Sequence, residues 1–269
     1  MNQRIKEAYD KRPQTWIYHL AIAIIFVGLM VWSGTAVETA GTTMDGGQIA
    51  LNVLAGIFNP DLSFLFDFTT KGVPYLMLET ICIAFLGTIV GAILSVPLAF
   101  ISASNLTPKP IAFAGRIIIM AVRTIPAVVY GLMFIRVTGP GPFAGLLTMG
   151  VCSVGMISKM YIEAIEDLDT HVVESLDAAG CNTWQKIRYG ILPQLLPNFA
   201  STAIYRFDIN LRDATILGMV GAGGFGAPLI FAMNAYRWNE AGAILAGLIV
   251  LILVIEFIST KIRVKLTRG

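Results

Sequence analysis

Residues 73–102 read Val73-Pro-Tyr-Leu-Met-Leu-Glu79-Thr-Ile-Cys-Ile-Ala-Phe-Leu-Gly-Thr-Ile-Val-Gly-Ala-Ile-Leu-Ser-Val-Pro-Leu-Ala-Phe-Ile-Ser102, and Glu79 is the one charge among them. About 20 apolar residues in a helix cross the hydrocarbon core of a bilayer, so this stretch is long enough to span it. Gly87 and Gly91, one turn apart beneath Ser95, make a small-residue face of the kind on which helices approach closely in lipid. Comparable stretches lie at 14–36, 113–136, 143–163, 198–220 and 240–260. Together they predict about six transmembrane helices and an all-α polytopic membrane protein. Trp16 and Trp32 bracket the first stretch where a headgroup belt would sit. Composition agrees: 56% of the 269 residues are hydrophobic and 13% are charged, with a mean hydropathy of +0.73. Such a chain has too few charges to cover a water-facing domain.

Lysine and arginine gather on alternate connections. Arg4, Lys6, Lys11 and Arg12 precede the first span, and Lys261, Arg263, Lys265 and Arg268 follow the last. Lys109 and Arg116 lie between spans two and three, and Lys159, Lys186 and Arg188 between four and five. The opposite loops hold little beyond Lys71 and Arg237. The positive-inside rule then places both termini in the cytoplasm, which requires an even number of spans in a cell membrane. Segment 1–13 is basic and precedes an apolar run with no convincing cleavage site, so a retained first helix is expected. The net charge of +2 sits at helix ends rather than in one patch, so it gives no footprint for nucleic acid and no such partner is expected. Cys82, Cys152 and Cys181 show no metal-ligand spacing and read as small buried hydrophobes or free thiols.

The chain divides on this reading into 1–45, an N-terminal cytoplasmic segment with the first span; 46–72, an extracytoplasmic segment; and 73–263, the core. Residues 47–58 are apolar but too short to span, and Phe64, Phe66 and Phe68 follow. They form either a helix lying along the outer interface or a loop packed over the bundle.

The long cytoplasmic connection, 161–197, is the more informative. Asp169 or Thr170 can cap a short helix, and Glu174 lies near its positive end. Gly180 is placed to take the left-handed conformation that stops that helix. Asn182 with Gln185 makes a variant capping box for a second helix, with Trp184, Ile187 and Ile191 on one face. Pro193 marks the start of the helix that follows. The expected product is a two-helix knob projecting from a membrane bundle. From these residues alone, a plain solvated connector is as good a reading.

The spacing of Glu174, Gly180 and Leu192-Pro193 resembles the EAA loop of ABC importer permeases, although Ser175 and Leu176 stand where that motif has alanines. Gly218-Met-Val-Gly-Ala-Gly-Gly-Phe-Gly226 is similar to type I permeases of the methionine-transporter kind. Tyr189-Gly-Ile-Leu-Pro-Gln194, Tyr205-Arg-Phe-Asp-Ile-Asn-Leu-Arg-Asp-Ala-Thr215 and Gly139-Pro-Gly-Pro-Phe-Ala-Gly145 resemble the phosphonate/phosphite transporter permeases. The resemblance implies a type I ABC importer permease fold and a loop whose coupling helix docks in a separate ATPase. Glu174, Asp177, Ala178, Gly180, Trp184, Leu192 and Pro193 would carry that docking. It also implies two cytoplasmic ATPase subunits, an extracytoplasmic phosphonate- or phosphite-binding protein, and a second permease copy in a homodimer.

Charge within the spans needs an explanation, because an ionisable group at bilayer depth normally faces a cavity or a partner. The fifth span carries Arg206, Asp208, Asn210, Arg212 and Asp213. Asp208 and Arg212 are helical neighbours that can neutralise each other, while Arg206, Asn210 and Asp213 share an adjoining face. One reading is an internal network tying this span to Arg123 or Glu79. The other is a pathway in which Arg206 and Arg212, with Arg123 third, meet an oxyanion through planar guanidinium groups. Gly221, Gly223, Gly224 and Gly226 form an outer gate or hinge, or else a re-entrant turn.

No G-x-x-x-x-G-K-[ST] loop occurs, so ATP must be consumed by a partner. His19 and His171 are isolated, no metal cluster or catalytic constellation is visible, and no cofactor or enzymatic activity is expected. A permease for another small solute such as methionine is the nearest alternative, and the charged fifth span argues against it. An ion-coupled secondary carrier would need inverted repeats with breaks in both halves, and a single glycine-rich break does not supply them.

Overall fold

The computed structural model describes residues 15–36 and 46–268. The basic segment 1–13 and residues 37–45 lie outside the described residues. Contacts divide the chain into two units, Met1–Ile49 and Ala50–Gly269. The first contains α1, Trp16–Ala36, 21 residues with no charge. Helix α2, Gly46–Phe58, runs across the division. The apolar stretch after residue 46 is thus helical, and at 13 residues it is too short to cross a bilayer.

Everything that positions the functional residues lies in the second unit, and every regular element described there is helical. After the short turn α3, Leu62–Leu65, come α4, Val73–Ser102; α5, Lys109–Thr124; α6, Ala127–Thr138; and α7, Pro142–Glu166. Then follow α8, Thr170–Ala178, and α9, Thr183–Gln185, which passes through a π-helical turn, Lys186–Ile191, into α10, Leu192–Met219. Helices α11, Gly226–Asn234, and α12, Trp238–Arg268, complete the unit. Asp61 caps α3: the Ser63 hydroxyl, with the backbone N–H groups of Phe64 and Ser63, holds its carboxyl below the usual carboxylate range.

Helices α1, α4, α7 and α12 are long and apolar enough to cross a membrane, and α5 with α6 makes a fifth crossing if the pair counts as one span. That pair holds the span expected over 113–136 and bends by 83° between Thr124 and Ala127. Pro126 pushes Ile125 into an extended conformation (φ −87°, ψ 123°), which ends α5. The expected span 198–220 lies within α10 except for its last residue, and α10 has the length, at 28 residues, but is too polar to count as a span on composition. Its charges survive through partners described below.

Helices α4 and α7 make the most extensive contact in the unit. It rests on the anticipated glycine face. A Cβ on Gly87 would collide with Met149, and one on Gly91 with Ser153, so the two backbones nearly touch. The Ser95 hydroxyl, bonded to the Gly91 carbonyl at 2.7 Å, also reaches the Val154 carbonyl at 3.3 Å. Helix α10 packs across both and against α12. Tyr161 stacks on Phe199 with ring centroids 3.8 Å apart, and its hydroxyl donates to the Phe199 carbonyl. Leu78, Phe85, Ile93, Leu253 and Phe257 face outward, as suits a surface solvated by lipid.

Candidate functional site

Two regions carry the chemistry anticipated from sequence: the elbow of α8, α9 and the π turn, and the polar faces of α10.

At the elbow the capping signals resolve as read. Asp169 accepts from the His171 N–H at 2.9 Å and caps α8. Gly180 has φ +77°, the left-handed turn after the helix. The Asn182 N–H donates to Gln185 Oε1 at 2.8 Å, and the Gln185 N–H to Asn182 Oδ1 at 2.9 Å, a reciprocal capping box. Asp177 pairs with Lys186 across the turn. Glu174 is exposed beside His171 at 3.6 Å, and Ala178 ends α8 in solvent. Leu176, one of the residues departing from alanine, is accommodated by Gly190, where any side chain would meet Leu176 Cδ1 at 2.6 Å.

One feature of the elbow differs from expectation. Trp184, Ile187 and Ile191 are not buried as one stripe: Trp184 is 76% exposed, Ile187 half-buried and Ile191 buried. The π turn adds backbone between them and breaks the 3.6-residue spacing. Pro193 lies in the first turn of α10, as its sequence position suggested, although the backbone is helical without a gap from the π turn through Ile191 and Leu192. Proline is tolerated there within the first turn of the α-helical segment. Leu192 is half-buried and Pro193 exposed. Replacing Asn182 by alanine is expected to loosen the elbow by about 1 kcal/mol, read as faster amide exchange confined to residues 183–191.

The fifth-span residues Arg206, Asp208, Asn210, Arg212 and Asp213 divide between two faces of α10. One turns into the α4–α7 contact. Asn210 Nδ2 donates to Thr88 Oγ1 at 2.8 Å and to Ser153 Oγ at 2.7 Å, and Arg206 Nε reaches the same Ser153 oxygen at 3.3 Å. Arg206 Nη1 lies 3.1 Å from Met156 Sδ, and Nη2 lies 3.8 Å from Asp213 Oδ2. This face is dry: Asn210 is fully buried and the Arg206 side chain is 8% exposed. Asn210 Oδ1 has no hydrogen-bond partner among the described residues.

The other face meets α12 in antiparallel register. Arg212 lies 3.8 Å from Glu256. Asp208 lies beside Ser259 and within reach of the charges of Arg263 on α12 and of Arg212 on its own helix; the Arg263 guanidinium sits 5.6 Å from the Tyr205 ring centroid. Asp208 Oδ1 has no hydrogen-bond partner among the described residues. Arg212 and Glu256 are half-exposed, at 50% and 56% of their side chains.

Arg123 and Glu79 do not join this network, which corrects the internal tie considered from sequence. Arg123, in the last turn of α5, is exposed beside Gly155 near the middle of α7 and lines a cleft of about 310 Å³ with Arg116, Lys159, Glu163 and Glu166. Glu79 lies near the start of α4, where Oε1 would stand 2.8 Å from a Cβ on Gly223. Gly221, Gly223 and Gly224 all have positive φ and, with Gly226, form a closely packed turn against Pro140, Pro142, Thr80 and the end of α10. Thr88, Ser153, Met156, Glu256 and Ser259 escaped the sequence reading. The only signal for the first two was their position beside the glycine faces of α4 and α7.

Three comparisons bear on this geometry. The sequence profile of a family described as "Binding-protein-dependent transport system inner membrane component" matches residues 95–267. The phosphite transport system permease protein PtxC of Stutzerimonas stutzeri is 33% identical over 246 residues, covering 90% of this chain and 87% of that one. The phosphate-import permease protein PhnE of Mycolicibacterium smegmatis is 33% identical over 189 residues, 70% of this chain and 36% of its own length. Among solved structures, the inward-facing MetNI methionine ABC transporter superposes with a TM-score of 0.62 at 22% identity, covering 72% of this chain and 95% of that chain. An amino acid ABC transporter gives 0.59 at 18% identity, covering 83% of this chain and all of that one. At those identities the structural likeness speaks to the fold alone.

Proposed function

The chain belongs to the family of binding-protein-dependent transport system inner membrane components, and on that premise we propose that it is the permease subunit of an ABC importer carrying a small phosphorus oxyanion, phosphite or a phosphonate. The observation that carries this reading is the likeness to a phosphite permease along nine-tenths of the chain. The chain is a multi-pass membrane component and makes no covalent change to its cargo.

In this reading the elbow faces the cytoplasm with both termini, and two copies of the permease form a homodimer around the pathway. Two ATPase subunits grip the elbows through Glu174, Asp177, Ala178, Gly180, Trp184, Leu192 and Pro193. An extracytoplasmic binding protein delivers the anion to the end where Glu79 and the glycine turn lie. Closure of the ATPase pair moves the elbows and rocks the bundles between inward- and outward-open states. The turn of Gly221, Gly223, Gly224 and Gly226 serves as the outer gate or hinge.

The two faces of α10 suggest different tasks for its arginines. Arg206, closed in by Asp213, Ser153 and Met156, fixes the position of α10. Arg212 is half-exposed and separated from Glu256 by more than a hydrogen-bond length, so its planar fork is available to two oxygens of a passing anion. A path must hold its cargo loosely enough to release it, and the nearby carboxylates of Asp208, Asp213 and Glu256 temper the binding. Arg123 is the third arginine of the path.

ATP-dependent uptake of radiolabelled phosphite into proteoliposomes containing the permease, its ATPase and the binding protein tests the reading. Uptake that phosphite or methylphosphonate competes away, and methionine does not, is the expected result. Uptake competed by methionine alone would overturn it.

A further inference from the structure

The elbow is joined to the bundle by two routes that differ in stiffness. On one side the chain leaves α7 at Glu166 and reaches α8 within a few residues. There the α4–α5 turn is bolted to the end of α7. Glu166 Oε1 accepts from the Ser104 N–H at 2.7 Å, from the Ser104 hydroxyl and from Arg116 Nη2. Arg116 Nε donates to the Ser102 carbonyl at 3.1 Å, and Asn105 Nδ2 to the Ile165 carbonyl at 2.7 Å. Gly115 permits the approach, since a side chain there would run into the Ser102 hydroxyl. Ala99, Ile119, Ile165 and Ile191 close an apolar cluster beneath these bonds. On the other side the elbow enters α10 through the π turn, 186–191, a wider and less regular backbone than the α-helix it feeds.

We propose that Glu166 is a positioning residue for transport: it locks the ends of α4, α5 and α7 into one moving unit with the elbow. A displacement of the elbow is then delivered to those helices instead of being absorbed by the 103–108 turn, and the relative movement of α10 is taken up at the π turn. Three donors on a single carboxylate oxygen suit this task, because charge-assisted bonds are stronger and more directional than neutral ones. Glu163, one turn earlier on the same helix, faces Lys159 at 3.4 Å instead. The inference rests on the ABC-permease reading above.

The test uses the intact complex with its ATPase subunits and phosphite-loaded binding protein in proteoliposomes, and reads phosphite taken up per ATP hydrolysed. For E166A that ratio is expected to fall roughly tenfold, the scale of one lost charge-assisted interaction, with ATPase rate and co-purification of the ATPase unchanged. R116A should match it, and R116A/E166A should be no worse than either, as for residues acting through one contact. E166Q retains an oxygen for Ser104 and should lie between wild type and E166A. A wild-type ratio in E166A would overturn the proposal. So would a parallel loss of uptake, ATPase rate and assembly, which marks a merely destabilised subunit. Absence of ATP-driven uptake in the wild-type complex is a separate result, and it would sink the transport reading instead.

Discussion

Leucine in place of Gly91 is expected to leave almost no correctly assembled protein. A Cβ on Gly91 collides with the Ser153 side chain and stands 3.1 Å from the Gly150 carbonyl oxygen, and neither neighbour is a flexible tip that could swing away. In lipid there is no hydrophobic drive to hold two helices together once they are forced apart, so close packing decides their association. Separating α4 from α7 would also pull Ser153 from the bonds of Asn210 and Arg206, and Ser95 from Val154. Overpacking with those losses should cost on the order of 3–4 kcal/mol. The readout is the fraction of detergent-solubilised protein that stays monodisperse on heating. Leucine at Ile93, whose side chain faces outward on the same helix, should behave like wild type. Equal stability of G91L and I93L would mean that the contact between α4 and α7 is not the close one described.

The second large effect concerns Arg206. Changing it to methionine removes the bonds to Ser153 and Met156 and leaves Asp213, one-third exposed, without its counter-charge. Breaking a buried pair from one side typically costs 3–5 kcal/mol, and the partial exposure of Asp213 should bring this to about 3. R206M/D213N should recover much of the loss, because no lone charge remains. R212A, by contrast, should unfold within about 1 kcal/mol of wild type, since it breaks only a long, half-exposed pair. Phosphite uptake is expected to fail in R212A while stability does not. Thermal unfolding alongside uptake separates the arginine that holds the helix in place from the one assigned to the path.

Some of this was legible in the sequence and some was not, for identifiable reasons. Long apolar runs report spans because a bilayer leaves few other uses for them, and residues 73–102, 143–163 and 240–260 all lie within uninterrupted helices. Local caps were equally readable. Asp169, Gly180 and the Asn182/Gln185 box depend on neighbours within a few positions, and each formed. Periodicity also placed Arg206, Asn210 and Asp213 on one face of α10. It could not say what lies opposite. The partners Thr88, Ser153 and Glu256 come from helices distant in sequence, so the charges that α12 adds around Asp208 and Arg212 could not be foreseen. A proline at 126 is enough to break a helix, but the 83° angle between α5 and α6 depends on how each packs on α7. The π turn was hidden altogether; Gly190, packed against Leu176, and the buried Ile191 lie within it.

The account stands on an elbow that reaches the compartment where ATP is found. Cysteine placed at the exposed Trp184, with Cys82, Cys152 and Cys181 replaced by serine, can be probed with a membrane-impermeant maleimide. Labelling in inverted vesicles, absent in right-side-out vesicles and blocked by the bound ATPase, is the predicted result. Labelling from the outside of right-side-out vesicles would contradict it.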